Sequence, residues 1–265
     1  MPELPEVETI RRSLAPHLIG RRILAAEFRC RRVLRGGDPD AMAARLAGRR
    51  IAAVRRRAKF LLIELEGGGI LMVHLGMTGR LLMGHTPGPH THAIFTLDGG
   101  VLLYDDSRQF GCLELHDALP ARVARLGPEP LEVSFAEFFA ALRKRRTRLK
   151  ALLLDQTFLG GIGNIYADES LFRARLHPLT PGARLGLARA RRLYDAIAGV
   201  LPEAIAAGGS SISDYVDGNG RQGFFQFSHR VYQRTGEPCV VCGAIIRRTL
   251  VAQRATHYCP RCQRR

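Results

Sequence analysis

Four cysteines near the C-terminus constrain the fold of this chain more than any other feature. They form two Cys-x-x-Cys pairs, Cys239 with Cys242 and Cys259 with Cys262, separated by sixteen residues. Four thiolates at this spacing complete a tetrahedral zinc site. Because the protein supplies all four ligands, no coordination position remains for water or substrate, and the zinc is expected to be structural. An iron–sulfur cluster is the alternative occupant.

The segment between the two cysteine pairs is expected to form a hairpin with basic residues near its tip. Arg247, Arg248 and Arg254 lie in this segment. Arginines at the tip of a hairpin are suited to contact DNA phosphates, although solvated surface arginines would give the same pattern. The two remaining cysteines, Cys30 and Cys112, stand alone, which is typical of small buried apolar side chains.

The charge balance indicates a polyanionic partner. The chain of 265 residues has a formal net charge of +16, mostly from arginine, which binds phosphate in a bidentate manner. A GC-rich genome would explain the choice of arginine over lysine, but not the excess of positive charge. No secretory signal or membrane-spanning run is seen in the sequence, so a cytosolic protein is expected.

The first half of the chain predicts an antiparallel sandwich or barrel. A helix begins at Pro5, carries Val7, Ile10 and Leu14 at helical spacing, and is expected to stop at Pro16. Short strands separated by glycine-rich turns follow. These strands are 22–28, 51–54, 60–65, 70–74, 94–97, 101–104 and 110–115.

The second half of the chain predicts helices. The proline-rich segment 126–130 is a stiff connector, and Ser134 with Glu137 forms a capping box ahead of an apolar helix. Further helices are expected at 149–154, 164–174 and 187–207, with Pro202 kinking the last one or starting a new helix. The glycine-rich stretch 218–223 predicts a mobile loop.

The first six residues have the features expected of a site with a nucleophilic N-terminal amine. Removal of Met1 would leave Pro2 with a free secondary amine, and an α-amino group has a pKa of about 7.7–8.0, well below that of lysine. Attack on an aldehyde-like carbon would give an iminium ion that acts as an electron sink. Glu3 and Glu6 could then serve as acid, base or partner to the amine. The alternative is that the prolines and acidic residues merely open a helix.

Three further segments carry residues suited to DNA. The glycines before Asn164 would expose N–H groups at a helix start and form a phosphate seat, although tight turns between helices also need glycine. Lys59 is a lone lysine among arginines. Met77 would usually be a core residue, but on an exposed glycine-flanked loop it could wedge between bases. Arg108 and Phe110 could fill a gap and stack.

Taken together, these motifs resemble bacterial formamidopyrimidine-DNA glycosylases from the first residue to the last. The resemblance rests on the opening Met-Pro-Glu-Leu-Pro-Glu-Val-Glu-Thr at 1–9, on 58–62, 74–79, 126–130 and 163–167, and on the four cysteines. The opening resembles this branch, whereas the sister enzyme endonuclease VIII typically begins Pro-Glu-Gly-Pro-Glu.

The resemblance implies an α+β protein of two domains. An N-terminal catalytic β-sandwich with flanking helices would span 1–126, followed by a linker at 127–133. A helix-two-turn-helix domain would span 134–230, with a lesion loop near 217–226, and a zinc-finger hairpin would span 231–265. The implied function is excision of oxidised purines from duplex DNA by a monomer, followed by β,δ-elimination at the abasic site.

The resemblance also implies roles for individual residues. Pro2 would attack the deoxyribose C1′, Glu3 would donate a proton to the sugar, and Glu6 and Lys150 would support the site. Lys59 and Arg254 would complete the catalytic set. The DNA-binding residues would be His74, His92, Arg108, Asn164, Met77 and Phe110, of which Met77, Arg108 and Phe110 would fill the space left by the flipped nucleotide. His74, His92 and Asn164, together with Arg254, would contact the phosphates around the lesion. Cys239, Cys242, Cys259 and Cys262 would hold one zinc ion.

Three positions depart from the family pattern. Ser107 and Gln109 replace a proline and an arginine, which is expected to loosen the loop that reads the opposite base, and Gln233 replaces a glycine before the zinc hairpin. Two alternatives stay open: the same chemistry with a preference for oxidised pyrimidines, and a non-catalytic protein that binds damaged DNA. A protein that only binds DNA has no need of Pro2, Glu3 and Lys59.

Overall fold

The computed structural model describes residues 2–35 and 37–265, which fall into two compact units. The first unit comprises the chain up to Ala124 together with the later segment Ala207–Phe224, and the second comprises Arg125–Ala206 and Phe225–Arg265. The predicted domain limits stay a prediction. The removal of Met1, on which the amine hypothesis depends, concerns a residue outside the described part of the chain.

The first unit consists of a strand-rich body with short helices. Its strands are β1 (Ile23–Phe28), β2 (Ile51–Arg57), β3 (Phe60–Leu65), β4 (Ile70–His74), β5 (Gly79–Met83), β6 (Thr91–Leu97), β7 (Gly100–Asp106) and β8 (Cys112–His116). Its helices are α1 (Leu4–Leu18), α2 (Pro39–Leu46) and α3 (Ala121–Ala124), with a 3-10 turn at Arg31–Val33.

The strands form two antiparallel sheets of four, in the orders β1-β6-β7-β5 and β2-β3-β4-β8. Side chains of both sheets belong to one buried cluster, which includes Phe95 of β6 and Ile63 of β3. Ile10 and Leu14 of α1 join the same cluster. The predicted α+β fold with an N-terminal sandwich and flanking helices is therefore confirmed.

Local differences from the sequence prediction arise where packing overrides a local signal. α1 continues past Pro16 to Leu18, because Leu18 is fully buried and a proline in the final turn removes only one hydrogen bond. The predicted strand at 110–115 begins only at Cys112, and Phe110 lies in the preceding loop. The sequence pattern does not predict β5, whose two adjacent leucines are too few to show an alternation.

The second unit contains the longer helices and a 3-10 turn at Gly182–Arg184. The helices are α4 (Phe135–Arg143), α5 (Leu149–Leu154), α6 (Asn164–Arg173) and α7 (Leu187–Ala206). The capping box forms as predicted, with the Glu137 N–H donating to Ser134 Oγ at 3.3 Å. α7 runs through Pro202 as one element, so the alternative of a new helix at this residue is wrong. Leu201 and Ala204 are buried on either side of the proline, and their packing stabilises the helix there.

The C-terminal part of the second unit forms a two-stranded hairpin after a 3-10 turn at Phe225–Ser228. β9 (Arg247–Val251) pairs antiparallel with β10 (Arg254–Tyr258). The connecting residues Ala252 and Gln253 have φ angles of 48° and 58°, as a two-residue turn of this hand requires. Among the described residues, no helix has the length and apolar character needed to cross a membrane.

Candidate active site and nucleic-acid interface

The N-terminus of the first unit is held by buried acidic side chains. Pro2 is buried directly ahead of α1, and Glu3 and Glu6 are only 3% and 1% exposed. The Glu3 N–H donates to the Glu6 carboxylate at 2.8 Å. This hydrogen bond fixes the residue that follows Pro2. The predicted amine site therefore lies on a rigid helix start rather than on a frayed terminus.

Glu6 also binds a segment that lies some two hundred residues further along the chain. Its carboxylate accepts the Ser210 N–H at 2.8 Å, and its backbone carbonyl accepts the Tyr215 hydroxyl at 3.3 Å. Gly209 has a φ of 81°, and a Cβ there would lie 2.9 Å from a Glu6 carboxylate oxygen. Glu6 therefore joins the N-terminus to the segment that leads into the predicted lesion loop, and its supporting role at the site stays a prediction.

Lys59 and His74 lie close enough to interact electrostatically. Lys59 occupies the turn between β2 and β3 and is 8% exposed. Burial, followed by the positive charge of Lys59, lowers the pKa of His74 to about 4, so this ring is neutral at pH 7. His74 Nδ1 accepts the Gly76 N–H at 3.2 Å, which leaves the proton on Nε2. A neutral His74 can therefore act as a hydrogen-bond donor to phosphate.

The three residues predicted to fill the gap in the duplex lie together on two loops of the first unit. Met77 is 43% exposed and Phe110 is 52% exposed. The Arg108 guanidinium lies 4.6 Å from the centre of the Phe110 ring, and its Nη1 lies 3.6 Å from Met77 Sδ. Met77 is thus an exposed loop residue rather than a core residue. The gap-filling role of the three residues remains a prediction.

His92 differs from His74 because its Nε2 is already hydrogen-bonded within the protein. It is 8% exposed, and its Nε2 donates to the Asp106 carbonyl at 2.9 Å. A neutral ring with its proton on Nε2 has no second N–H for a phosphate. The predicted phosphate contact therefore requires either a doubly protonated ring or the loss of this hydrogen bond.

The predicted lesion loop is a compact turn organised by Asp217. One Asp217 carboxylate oxygen accepts the N–H groups of Asn219 and Arg221, both at 2.9 Å. The Gly218 N–H donates to Ser13 Oγ of α1 at 2.8 Å. These bonds hold the stem of the loop on the first unit, while Phe224 at its end is 65% exposed.

In the second unit, the glycine-rich segment and the zinc hairpin meet at the start of α6. The Gln156 side chain shapes the turn by accepting the Gly161 N–H at 2.9 Å. Asn164 Nδ2 donates to the Ala255 carbonyl at 3.0 Å, directly beside the exposed Arg254. Asn164 Oδ1 is buried without a hydrogen-bond partner among the described residues. The predicted phosphate ligands Asn164 and Arg254 are thus brought together by this contact.

Lys150 is a fully buried structural cation. Its side chain is 0% exposed, and Nζ donates to the Asn164 carbonyl at 2.8 Å and to Asp168 Oδ1 at 2.7 Å. Asp168 Oδ2 accepts both the backbone N–H and Nδ1–H of His257 in β10, each at 2.9 Å. Lys150 therefore fixes the start of α6 and, through Asp168, the zinc hairpin, and its predicted supporting role at the site stays a prediction.

The Lys150→Met variant is expected to lose about 3–5 kcal/mol of unfolding free energy, because it leaves the buried Asp168 without its cation. Urea denaturation followed by circular dichroism measures this change. Lys144→Met is the matched control, since Lys144 is exposed. Equal stabilities of the two variants would contradict the role assigned to Lys150.

The cysteine cluster has the geometry of a structural zinc site. The four Sγ atoms lie within 4.8 Å of one another, and Cys239 Sγ and Cys262 Sγ are 3.9 Å apart. Zn–S bonds of about 2.3 Å in a tetrahedron place sulfurs about 3.8 Å apart. The Val241 and Cys262 N–H groups point at ligand sulfurs, at 3.5 and 3.3 Å. The residues therefore fit one zinc ion.

Some residues that hold the site have no distinct sequence signal. Glu169 is 3% exposed and accepts the N–H groups of Arg230, Val231 and Tyr232, and burial raises its pKa. Gln233 follows with a φ of 59°, a conformation that favours glycine, so the turn before the hairpin retains a glycine-like backbone. An acidic residue in a helix is too common a pattern to reveal such contacts.

A helical body with a glycine-led helix start and a four-cysteine hairpin defines the class of helix-two-turn-helix zinc-finger proteins. Family models agree over most of the chain. The formamidopyrimidine-DNA glycosylase N-terminal domain matches residues 1–113, the H2TH domain of the same enzymes matches 126–216, and the zinc finger found in FPG and IleRS matches 236–265. The chain belongs to the formamidopyrimidine-DNA glycosylase family.

Individual relatives match along their whole length. A formamidopyrimidine-DNA glycosylase of Solibacter usitatus is 65% identical over 265 residues, covering 100% of both chains. The crystal structure of the MutM (Fpg) protein from Thermus thermophilus is 47% identical, with a TM-score of 0.89 over 99% of this chain and 98% of that one. Lactococcus lactis Fpg in complex with abasic-site DNA is 36% identical, with a TM-score of 0.92 over 99% and 100%.

Proposed function

We propose that this protein is a bifunctional DNA glycosylase and abasic-site lyase that excises oxidised purines, chiefly 8-oxoguanine and formamidopyrimidines, from duplex DNA. The observation that carries the proposal is the buried N-terminal Pro2, followed by two buried carboxylates, in a chain of this family. Its Lactococcus lactis relative is described in complexes with abasic-site DNA and with DNA that contains N7-benzyl-Fapy-dG. We further propose that it acts on chromosomal DNA in the bacterial cytoplasm.

The proposed glycosylase and lyase steps follow from the chemistry of the Pro2 amine. The Pro2 nitrogen forms a bond to C1′ as the bond between C1′ and the damaged base breaks, and the base leaves with the proton that the amine loses. Glu3 donates a proton to the sugar ring oxygen as the ring opens, which gives the iminium ion. The iminium acidifies C2′, so loss of a C2′ proton expels the 3′ phosphate. A second elimination expels the 5′ phosphate.

Reaching C1′ requires the damaged nucleotide to leave the duplex, which costs a few kcal/mol of stacking and pairing. Met77, Arg108 and Phe110 would occupy the vacated space, since an exposed thioether, a guanidinium and an aromatic ring can replace the lost stacking. Lys59 and His74 in the first unit would bind the phosphates at the lesion, as would Asn164 and Arg254 in the second. The zinc ion would keep the hairpin folded and take no part in the reaction.

A lesion panel tests the proposal. Zinc-loaded protein shown by mass spectrometry to lack Met1 would be mixed with borohydride and duplexes that contain 8-oxoguanine, a formamidopyrimidine or thymine glycol. We expect covalent trapping and strand cleavage with both purine lesions, with thymine glycol the poorest substrate. A preference for thymine glycol would indicate oxidised-pyrimidine specificity. Binding to all three duplexes without trapping or cleavage would indicate a non-catalytic DNA-binding protein.

A further inference from the structure

Asp106, at the end of β7, is a fully buried carboxylate that binds both gap-filling loops. It is 0% exposed. Its Oδ1 accepts Thr78 Oγ1–H at 2.5 Å and the Arg108 N–H at 3.3 Å, and its Oδ2 accepts the Gly111 N–H at 2.8 Å and the Tyr104 hydroxyl at 3.2 Å. Thr78 follows Met77 directly, whereas Arg108 and Gly111 flank Phe110. One side chain therefore fixes the loop of Met77 and the loop of Phe110.

The backbone carbonyl of Asp106 adds two further hydrogen bonds. It accepts His92 Nε2–H at 2.9 Å and the Gln109 N–H at 3.2 Å. Gln109 has a φ of 55°, which lies in the left-handed region. Residues other than glycine adopt this backbone conformation mainly where the surrounding structure holds them in it. Asp106 therefore helps to enforce the strained residue between Arg108 and Phe110.

The two loops also touch each other through their backbones, without room for side chains. A Cβ at Gly76, whose φ is 59°, would lie 2.4 Å from the Gly111 nitrogen. A Cβ at Gly111 would lie 2.0 Å from the Tyr104 hydroxyl oxygen. Because neither loop can shift without the other, the hydrogen bonds of Asp106 set the position of Met77, Arg108 and Phe110 as a group.

We propose that Asp106 is a positioning residue that sets the geometry of this gap-filling group and so controls discrimination of the base opposite the lesion. It is buried too deeply to touch substrate, so it acts through Met77, Arg108 and Phe110. Asp106 also binds the backbone of the loop in which Ser107 and Gln109 replace a proline and an arginine. The sequence-based expectation of a loosened loop stays a prediction. This inference rests on the proposed glycosylase activity.

The Asp106→Asn variant tests the proposal. Asparagine keeps the size and shape of the side chain, but it replaces one acceptor oxygen with an NH₂ group that would face the hydrogen-bond donors around Asp106. We expect the ratio of kcat/KM for 8-oxoguanine opposite cytosine to that opposite adenine to change about tenfold or more. Trapping of a duplex with a preformed abasic site should stay within about threefold of wild type, because an abasic nucleotide has no base to unstack or unpair and depends less on the gap-filling group.

Asp105→Asn is the matched control, because Asp105 is the neighbouring residue in β7 and accepts Thr91 Oγ1–H at 2.6 Å instead. Thr78→Val removes a single donor to Asp106 and serves if Asp106→Asn does not fold. It should change the same ratio in the same direction by a smaller factor. An unchanged ratio in the folded variant, or equal losses on every substrate, would overturn the proposal. Wild-type protein that excises no lesion would overturn both this inference and the proposed function.

Discussion

The Pro2→Gly variant is expected to give no borohydride-trapped complex and no strand cleavage with a duplex that carries 8-oxoguanine opposite cytosine. Glycine keeps Met1 removable but leaves a primary amine, whose imine is uncharged until it takes up a proton. The prolyl iminium, by contrast, is charged from the start. Glycine also removes the ring carbons that pack around the buried Pro2 nitrogen.

The control for this variant is Pro16→Gly, which makes the same change at an exposed position in the last turn of α1. It should trap and cleave at wild-type rates. Both proteins must be shown to lack Met1 and to retain zinc and circular dichroism spectra like that of the wild type. Pro2→Gly protein that still forms the covalent complex at a wild-type rate would show that the reaction does not need the prolyl amine, and peptide mapping of the trapped complex would then identify the amine that attacks.

Cys259→Ser is expected to remove zinc and to weaken DNA binding while the first unit stays folded. A structural zinc site contributes about 10–16 kcal/mol of binding energy to the folding of a small hairpin, so loss of one thiolate ligand should unfold β9 and β10. Unfolding would break the hydrogen bond from Asn164 to Ala255 and displace Arg254. The slope of log affinity against log salt should fall by about 0.9 for each phosphate that the protein no longer neutralises.

Fluorescence anisotropy with an abasic-site analogue duplex at several salt concentrations measures this effect, with zinc content determined in parallel. Cys30→Ser is the control, since Cys30 lies in the first unit, apart from the cysteine cluster. Unchanged affinity and salt slope in zinc-free Cys259→Ser protein would show that the hairpin does not bind DNA.

The sequence was sufficient to predict those elements whose structure depends only on residues close together in the chain. The strands from 51 to 74 and the helix start at Ser134 need only alternation, turn residues and a capping box, and all of them form. The course of α7 through Pro202 depends on the burial of α7 against the rest of the second unit. A short stretch of sequence carries no information about that packing. The same holds for Phe110, which reads as part of a strand but lies in a loop held by Asp106.

The sequence by itself determined the four-cysteine cluster, Pro2 with its acidic neighbours, and the positive charge. Residue type and spacing carry that chemistry directly. Only the tertiary structure decided that Lys150 is a buried partner of Asp168 and that Glu6 binds Ser210. It also placed the four donors of Thr78, Tyr104, Arg108 and Gly111 on one carboxylate, Asp106. Hydrogen bonds between residues far apart in the chain depend on how the strands and helices pack, and no short pattern encodes that packing.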